Sequence, residues 1–203
     1  MTGACRWCAR SGAKAGALPE AGGVFVAVVG PSGAGKDSLI AAARAALAGD
    51  PRFLFVRRVV TRPAEAELED HDSLSEAGFT EAAARGRFAA VWRAHGLSYA
   101  IPAKALDHVR AGGVAVANCS RAALAQIANA FPALEIVLVT AEPAVLAARL
   151  AGRGRESAAD IEERLRRRVE DFPGRERAVL IDNGGRLEDA AARFVAVLRG
   201  FAA

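Results

Sequence analysis

The feature that most constrains the fold is a strand-like run followed at once by a glycine-rich turn and a helix-like run. Residues 24–30 read VFVAVVG, a continuous apolar segment typical of a strand that is buried on both faces. Residues 36–47 are rich in alanine and leucine and predict a helix. Because a helix that follows a buried strand is the usual crossover to a parallel neighbour, this beginning predicts an α/β fold.

Four further apolar runs predict the remaining strands of the sheet. They lie at residues 53–60, 114–118, 135–140 and 178–181. Alanine-rich helical stretches separate the strands, so we predict a parallel five-stranded core sheet with helices on both faces.

Residues 62–102 interrupt this alternation. They contain an acidic loop, a predicted helix at 75–85 and two short strand-like pieces at 88–92 and 97–101. We predict a small inserted lobe at the carboxyl edge of the sheet, where α/β proteins bind ligands. The lobe belongs to a single predicted domain, residues 23–203, and residues 1–22 are predicted to be a flexible extension.

Composition and charge narrow the classes of function. The chain has 203 residues, of which 52% are hydrophobic, and a formal net charge of +4. The positive charge suits a small anionic substrate, whereas no basic block with interleaved aromatic residues marks a nucleic-acid surface. No apolar run approaches the roughly 18 to 20 residues that span a bilayer, so we expect a soluble, cytoplasmic protein with no membrane partner.

The three cysteines do not predict a metal or redox centre. Cys5 and Cys8 form a single C-x-x-C pair with no second pair to complete a zinc site and no preceding strand. Cys119 follows a predicted strand and is most simply a small apolar residue.

The glycine-rich turn, GPSGAGKDS, predicts a phosphate-binding loop. It matches the pattern G-x-x-x-x-G-K-[ST] up to the last position, where Asp37 replaces the hydroxyl residue. Backbone N–H groups and the helix N-terminus would surround a phosphate, and the lysine would reach the β- and γ-phosphates of a nucleotide. The predicted nucleotide-binding residues are Gly30, Pro31, Ser32, Gly33, Ala34, Gly35, Lys36, Asp37 and Ser38.

Asp37 admits two interpretations. An acid in the first helical turn stabilises the helix macrodipole, which needs no ligand. A carboxylate facing bound triphosphate would instead be repelled unless a cation lay between them. We therefore predict that Asp37 helps to hold Mg²⁺, with Ser38 as the competing hydroxyl ligand.

Two arginines at the end of the second predicted strand are candidates for binding a phosphorylated acceptor. Arg58 and Arg62 are four residues apart, so they would share one face of an extended strand, and guanidinium groups bind phosphate with two parallel hydrogen bonds. The alternative is that they only cap an exposed strand end.

The inserted lobe carries further candidates. Asp70 and His71 lie in the acidic loop and could bind the acceptor, although a solvated loop is the simpler interpretation. Trp92 and His95 could shape a sugar pocket, although a tryptophan in a strand more often packs in a core.

An arginine-rich segment near the end predicts a lid at residues 149–158. Gly152 and Gly154 interrupt a predicted helix that bears Arg149 and Arg153, and Arg164 follows in a helix that begins with the capping sequence SAAD. We predict that Lys36 and these three arginines are the catalytic residues, because cations at a transferring phosphoryl group stabilise its charge. The alternative for Arg164 is an i,i+4 ion pair with Asp160.

Four segments together resemble one enzyme family. The loop GPSGAGKDS, the segment TRPAEAELEDHDSLSEAGF, the segment GRFAAVWRAHGLSYAIP and the lid RLAGRGRES resemble the ribose 1,5-bisphosphate phosphokinases of phosphonate catabolism, which are relatives of guanylate kinases. The resemblance covers about residues 24–200. It implies a P-loop NTPase fold of guanylate-kinase type, ATP and Mg²⁺ as cofactors, and transfer of a phosphoryl group to ribose 1,5-bisphosphate, giving 5-phosphoribosyl 1-diphosphate and ADP.

The comparison with guanylate kinases implies roles for individual residues. Tyr99 matches a tyrosine that contacts the acceptor phosphate, and Asn118 stands where an acid usually ends the third core strand. Asn183 matches a contact near the adenine. Ala90 stands where guanylate kinases carry the glutamate that reads guanine, and Glu65 stands where they carry a second arginine for the acceptor phosphate.

Two other functions remain as alternatives. A nucleoside monophosphate kinase of guanylate type is disfavoured by Ala90, and a binding module without catalysis is disfavoured by Lys36 and the arginine-rich lid. The expected partner is a small sugar phosphate, and the chain is expected to be a monomer or a homodimer.

Overall fold

The computed structural model describes residues 22–62, 71–94, 96–151, 172 and 174–202. Its first sheet has five parallel strands in the order β2-β7-β1-β8-β9. The strands are β1 (Val24–Val29), β2 (Phe53–Phe55), β7 (Val114–Asn118), β8 (Leu134–Thr140) and β9 (Val179–Asp182). The predicted parallel five-stranded core is confirmed.

A second sheet has four strands in the order β4-β3-β6-β5. They are β3 (Arg58–Val60), β4 (His71–Ser73), β5 (Phe88–Ala94) and β6 (Leu97–Pro102). Strand β3 pairs with β4 in parallel and with β6 in antiparallel orientation, and β5 pairs with β6 in antiparallel orientation. Strands β4, β5 and β6 lie within the segment for which the sequence predicts an inserted lobe, residues 62–102, whereas β3 lies just before it.

Six α-helices and two 3-10 turns complete the described chain. The α-helices are α1 (Lys36–Ala46), α2 (Glu76–Ala84), α3 (Ala103–Arg110), α4 (Leu124–Ala130), α5 (Pro143–Ala151) and α6 (Leu187–Phe201), and the 3-10 turns are Arg121–Ala123 and Arg175–Arg177. Within these residues, no helix is long and apolar enough to cross a membrane.

Helices cover both faces of the five-stranded sheet because its central strand is apolar on both sides. All six residues of β1 are buried. Val24, Val26 and Val28 face a core cluster that includes buried residues of α1, α5 and α6. Phe25, Ala27 and Val29 face a second cluster, to which α3, α4 and the four-stranded sheet contribute. Only the strand ends remain available for polar side chains.

The prediction of one strand over residues 53–60 is wrong. Residues 53–55 belong to the first sheet, whereas residues 58–60 belong to the second. The backbone N–H of Val56 still donates to the carbonyl of Val116 at 2.8 Å, so the chain leaves β7 just after this residue. A continuous apolar run carries no signal for such a change of sheet, because both halves are partly buried.

Candidate active site

The loop between β1 and α1 has the geometry of a phosphate-binding loop. Gly33 and Gly35 adopt left-handed backbone conformations, with φ of 82° and 80°. The Nζ atom of Lys36 donates hydrogen bonds to the carbonyl of Gly30 at 3.0 Å and to that of Pro31 at 2.9 Å. The lysine therefore folds back over the loop, where its ammonium group lies beside the space that the loop encloses.

Two residues distant in sequence brace this loop. Asn183 is 2% exposed, and its Nδ2 donates to the carbonyl of Ala34 at 2.8 Å. Arg149, in α5, donates from Nη2 to the carbonyl of Asn183 at 2.9 Å. These contacts join the end of β9 to the phosphate loop, and the predicted position of Asn183 near the adenine stays a prediction.

Arg149 also has a hydrogen-bond donor that is left without a partner in the part of the chain that the structure describes. Its Nη1 is buried and has no hydrogen-bond partner among the described residues. A Cβ built on Gly35 would lie 3.7 Å from this nitrogen. The guanidinium is therefore next to the phosphate loop, as its predicted catalytic role requires.

Replacing Gly35 with alanine is expected to disturb the brace. The new Cβ would lie 2.5 Å from Nδ2 of Asn183, in addition to the roughly 1 to 2 kcal/mol cost of a left-handed alanine. Gly49→Ala is the matched control, because Gly49 has a φ of 84° and nothing within 4 Å of its Cβ position. Gly35→Ala should lower the unfolding temperature and the calorimetric affinity for ATP more than Gly49→Ala does. Equal losses in the two variants would contradict the proposed role of the contact between Asn183 and the loop.

Asp37 and Asn118 form a direct contact. Asp37 lies in the first turn of α1, and its Oδ1 accepts a 2.6 Å hydrogen bond from Nδ2 of Asn118, the last residue of β7. Asp37 and Ser38 are both exposed, so a ligand can reach them. In the described chain, no group of three His, Cys, Asp or Glu residues could hold a metal ion by itself. A single carboxylate fits Mg²⁺, which is commonly bound by one or two carboxylates together with substrate phosphates.

Four predicted acceptor residues share one face of the four-stranded sheet. Arg58 pairs with His71 across β3 and β4, and Tyr99 pairs with Val60 on one side and with Trp92 on the other. Residues directly opposite each other point to the same face, and so do residues two apart along a strand. This acceptor face, defined by Arg58, His71, Tyr99 and Trp92, is the face that packs toward the second core cluster.

Local contacts hold the acceptor face in place. The rings of Trp92 and Tyr99 are stacked, with centroids 5.5 Å apart. His71 is 7% exposed, and its Nδ1 is buried without a hydrogen-bond partner among the described residues. Arg57 donates to the carbonyl of His71 at 3.0 Å and forms a 3.2 Å ion pair with Asp72. This contact fixes β4 beside β3 and was not predicted from the sequence.

Burial and the charge of Arg58 act on the pKa of the Cys119 thiol in opposite directions. Burial raises the pKa of this thiol to about 12, and the positive charge of Arg58 acts in the opposite direction. Arg58 therefore lies near Cys119, the residue that follows Asn118 at the end of β7. Cys119 stays protonated at neutral pH and is buried, which agrees with its prediction as a small apolar residue.

The placement of Arg62 differs from the prediction. Arg62 is half-buried and follows β3, which ends at Val60, so strand alternation does not place it on the same face as Arg58. Its binding of the acceptor stays a prediction. Asp70, His95, Arg153 and Arg164 lie outside the described residues, as do Cys5, Cys8 and most of the predicted lid.

Arg121 is a residue at this edge that sequence analysis missed. It begins the 3-10 turn that follows β7, three residues beyond Asn118. Its Nη1 is buried and has no hydrogen-bond partner in the described part of the chain. A lone arginine after a strand belongs to no motif, so only the three-dimensional arrangement draws attention to it.

Comparison with solved structures defines the class of fold. The chain is similar to the guanylate kinase of Anaplasma phagocytophilum, with a TM-score of 0.62 and 16% identity, over 89% of this chain and 86% of that one. A gluconokinase from Sinorhizobium meliloti gives a TM-score of 0.50 and 21% identity, over 90% of this chain and 94% of that one. No family model matches the chain. The fold and the phosphate loop thus define a P-loop kinase fold of guanylate-kinase type, as predicted.

Comparison with curated proteins identifies the family. A protein of Brucella melitensis is 49% identical over 173 residues, which are 85% of this chain and 90% of that protein. One of Methylobacterium radiotolerans is 49% identical over 177 residues, or 87% and 98% of the two chains. One of Agrobacterium fabrum is 46% identical over 175 residues, or 86% and 96%. All three are named ribose 1,5-bisphosphate phosphokinase. The chain belongs to the ribose 1,5-bisphosphate phosphokinase family, which confirms the resemblance.

Proposed function

We propose that the chain transfers the γ-phosphoryl group of ATP to the 1-phosphate of ribose 1,5-bisphosphate. An oxygen of the acceptor phosphate forms the new bond to the γ-phosphorus, the bond from that phosphorus to the β–γ bridging oxygen breaks, and ADP leaves with the electron pair. The products are 5-phosphoribosyl 1-diphosphate and ADP. The observation that supports this most directly is a phosphate loop with Lys36 in a chain that also carries a separate acceptor face of cationic and aromatic residues.

The reaction needs no side chain to remove a proton. The attacking phosphate oxygen is already ionised at neutral pH, so catalysis consists of alignment and stabilisation of charge. Lys36 would exchange its bonds to the loop carbonyls for bonds to the β- and γ-phosphate oxygens. Arg149 would donate from the Nη1 atom that lacks a described partner. Asn183 would keep the loop in shape through its bond to Ala34.

Asp37 and Ser38 would hold Mg²⁺ together with the nucleotide. The ion would supply positive charge at the β- and γ-phosphate oxygens. Asn118, through its hydrogen bond to Oδ1, would orient the carboxylate of Asp37. Ser38 is exposed beside Asp37 and offers a hydroxyl oxygen.

Arg58, His71 and Tyr99 would bind the acceptor on the acceptor face. They offer a guanidinium, an imidazole and a phenol hydroxyl, all suited to phosphate oxygens. Arg62, Asp70 and His95 remain proposed acceptor contacts, and Arg153 and Arg164 remain proposed lid residues, on the basis of the sequence. The monomeric or dimeric state and the cytoplasmic location also stay predictions.

Guanylate-type activity is the competing function, because the fold is shared. Ala90 argues against it, since this residue is 6% exposed, carries no polar group and packs in the core cluster beside Trp92. A buried alanine cannot form a hydrogen bond to a guanine edge with its side chain.

A coupled ADP-release assay distinguishes the two acceptors. Purified protein with ATP and Mg²⁺ is expected to release ADP with ribose 1,5-bisphosphate and to stay near background with GMP at the same concentration. The product should be identified as a sugar diphosphate by mass spectrometry. Turnover with GMP alone would favour the guanylate-type activity, and background rates with both acceptors would favour a binding module.

A further inference from the structure

Arg121 is held at the edge of the sheet with an unsatisfied donor. The turn that it begins is fixed by Ser120, whose Oγ accepts from the backbone N–H of Ala122 at 3.2 Å. Its Nη1 is buried and has no hydrogen-bond partner among the described residues. Buried polar donors normally have partners, because leaving one unsatisfied costs free energy. The missing acceptor is therefore best supplied by a ligand.

Trp92 presents a second unsatisfied donor, on a strand that packs against this turn. This residue is 5% exposed, and its Nε1 has no hydrogen-bond partner among the described residues. Strand β5, which carries Trp92, packs against the turn that carries Arg121, and Ala123 of that turn lies in the same core cluster as Trp92. An indole N–H can only donate, so, like the guanidinium of Arg121, it requires an acceptor such as an anion.

Trp92 is not on a strand adjacent to that of Arg58. Trp92 lies on β5 and Arg58 lies on β3, with β6 between them. Two strand spacings separate them laterally by roughly 10 Å. The donors therefore lie on different strands: Arg58 and His71 on β3 and β4, and Trp92 on β5, which packs against the turn that carries Arg121. A ligand with an anionic group at each end matches this arrangement better than a ligand with a single anionic group.

We propose that Arg121 and Trp92 bind the 5-phosphate of the sugar bisphosphate, the end that does not react. This inference rests on the proposed function. Arg58 and His71 would then hold the 1-phosphate that accepts the γ-phosphoryl group. Selectivity for a sugar with phosphates at both ends would follow, because a ligand without the 5-phosphate leaves the Arg121 and Trp92 donors unsatisfied.

Binding of two monophosphates tests the assignment without requiring turnover. Dissociation constants of ribose 5-phosphate and ribose 1-phosphate should be measured by NMR titration for wild type, Arg121→Gln and Trp92→Phe. Arg121→Gln is expected to raise the dissociation constant of ribose 5-phosphate at least about tenfold and to change that of ribose 1-phosphate by no more than about twofold. Trp92→Phe keeps an aromatic side chain but removes the N–H donor, and it should raise the dissociation constant of ribose 5-phosphate by a few-fold. Equal losses for both ligands, or no loss, would overturn the assignment.

Kinetics supply the second arm and separate this inference from the proposed function. Arg121→Gln should raise KM for ribose 1,5-bisphosphate more than it lowers kcat, whereas a contact to the reacting phosphate would lower kcat at least as strongly. Arg93→Gln is the matched control, since Arg93 is the exposed neighbour of Trp92 on the opposite face of β5. If wild type shows no kinase activity yet ribose 5-phosphate binds through Arg121, the proposed function fails while the binding site stands. Loss of binding in Arg93→Gln equal to that in Arg121→Gln would overturn the site.

Discussion

Lys36→Ala is expected to lower kcat for phosphoryl transfer by roughly 10³-fold, the scale seen when one preorganised charge donor is removed. The Nζ atom contacts the carbonyls of Gly30 and Pro31 and lies beside the space that the phosphate loop encloses. No proton transfer is needed in the proposed reaction, so charge stabilisation carries most of the catalysis. Removing this ammonium group should therefore affect the rate more than the binding of ATP, as measured by steady-state kinetics and calorimetry.

Lys104→Ala is the matched control for this variant. Lys104 is exposed near the beginning of α3, so its removal deletes the same charge away from the phosphate loop. It should retain nearly normal kcat and KM. Thermal unfolding must show that Lys36→Ala is folded. A folded Lys36→Ala protein with near-normal turnover would contradict the assignment of the phosphate loop.

The core was predictable because its signals are local. The apolar runs that became β1, β7, β8 and β9 are short, and each is followed by a helix or a turn, so every strand could be recognised without knowledge of its neighbours. The start of α1 at Lys36 was predictable for the same reason, since Gly33 and Gly35 provide the left-handed turn before it. Hydrophobic period and glycine chemistry determine these elements within about ten residues of chain.

The contacts around the phosphate loop were not predictable in the same way. Asn183 binds a carbonyl 149 positions earlier in the chain, and Asn118 binds Asp37 across 81 positions. Neither contact produces a periodic pattern. The resemblance drew attention to both asparagines, but only the fold shows that they contact the loop and the first turn of α1.

The acceptor face shows a mixed outcome. His71 was predicted to lie in an acidic loop, whereas it begins the three-residue strand β4 and is buried. A strand this short, with the sequence HDS, has no apolar alternation to reveal it. Trp92 packs in the core cluster, as its alternative interpretation stated, and yet it also lies on the acceptor face. Sequence patterns could not show that these two roles coexist.

The second large effect is expected on metal binding, and it concerns the contact between Asp37 and Asn118. Asp37→Asn removes the carboxylate and leaves two amides, so Mn²⁺ affinity in the presence of ADP should fall about tenfold or more. Electron paramagnetic resonance of Mn²⁺ measures this binding without turnover. The Mg²⁺ concentration for half-maximal activity should rise in parallel, and KM for ribose 1,5-bisphosphate should change little. Unchanged Mn²⁺ binding would remove the proposed role of Asp37.

Exchanging the two residues is the most specific test of the same contact. Asn118→Asp alone would place two carboxylates within hydrogen-bond distance, where like charges repel and destabilise the protein in the absence of metal. The double variant Asp37→Asn with Asn118→Asp restores one carboxylate and one amide in reversed order. If a single charge at this edge is what holds the ion, the double variant should bind Mn²⁺ more tightly than Asp37→Asn and unfold at a higher temperature than Asn118→Asp. Affinity no better than that of Asp37→Asn would instead show that the carboxylate must come from α1, in the first turn after the phosphate loop.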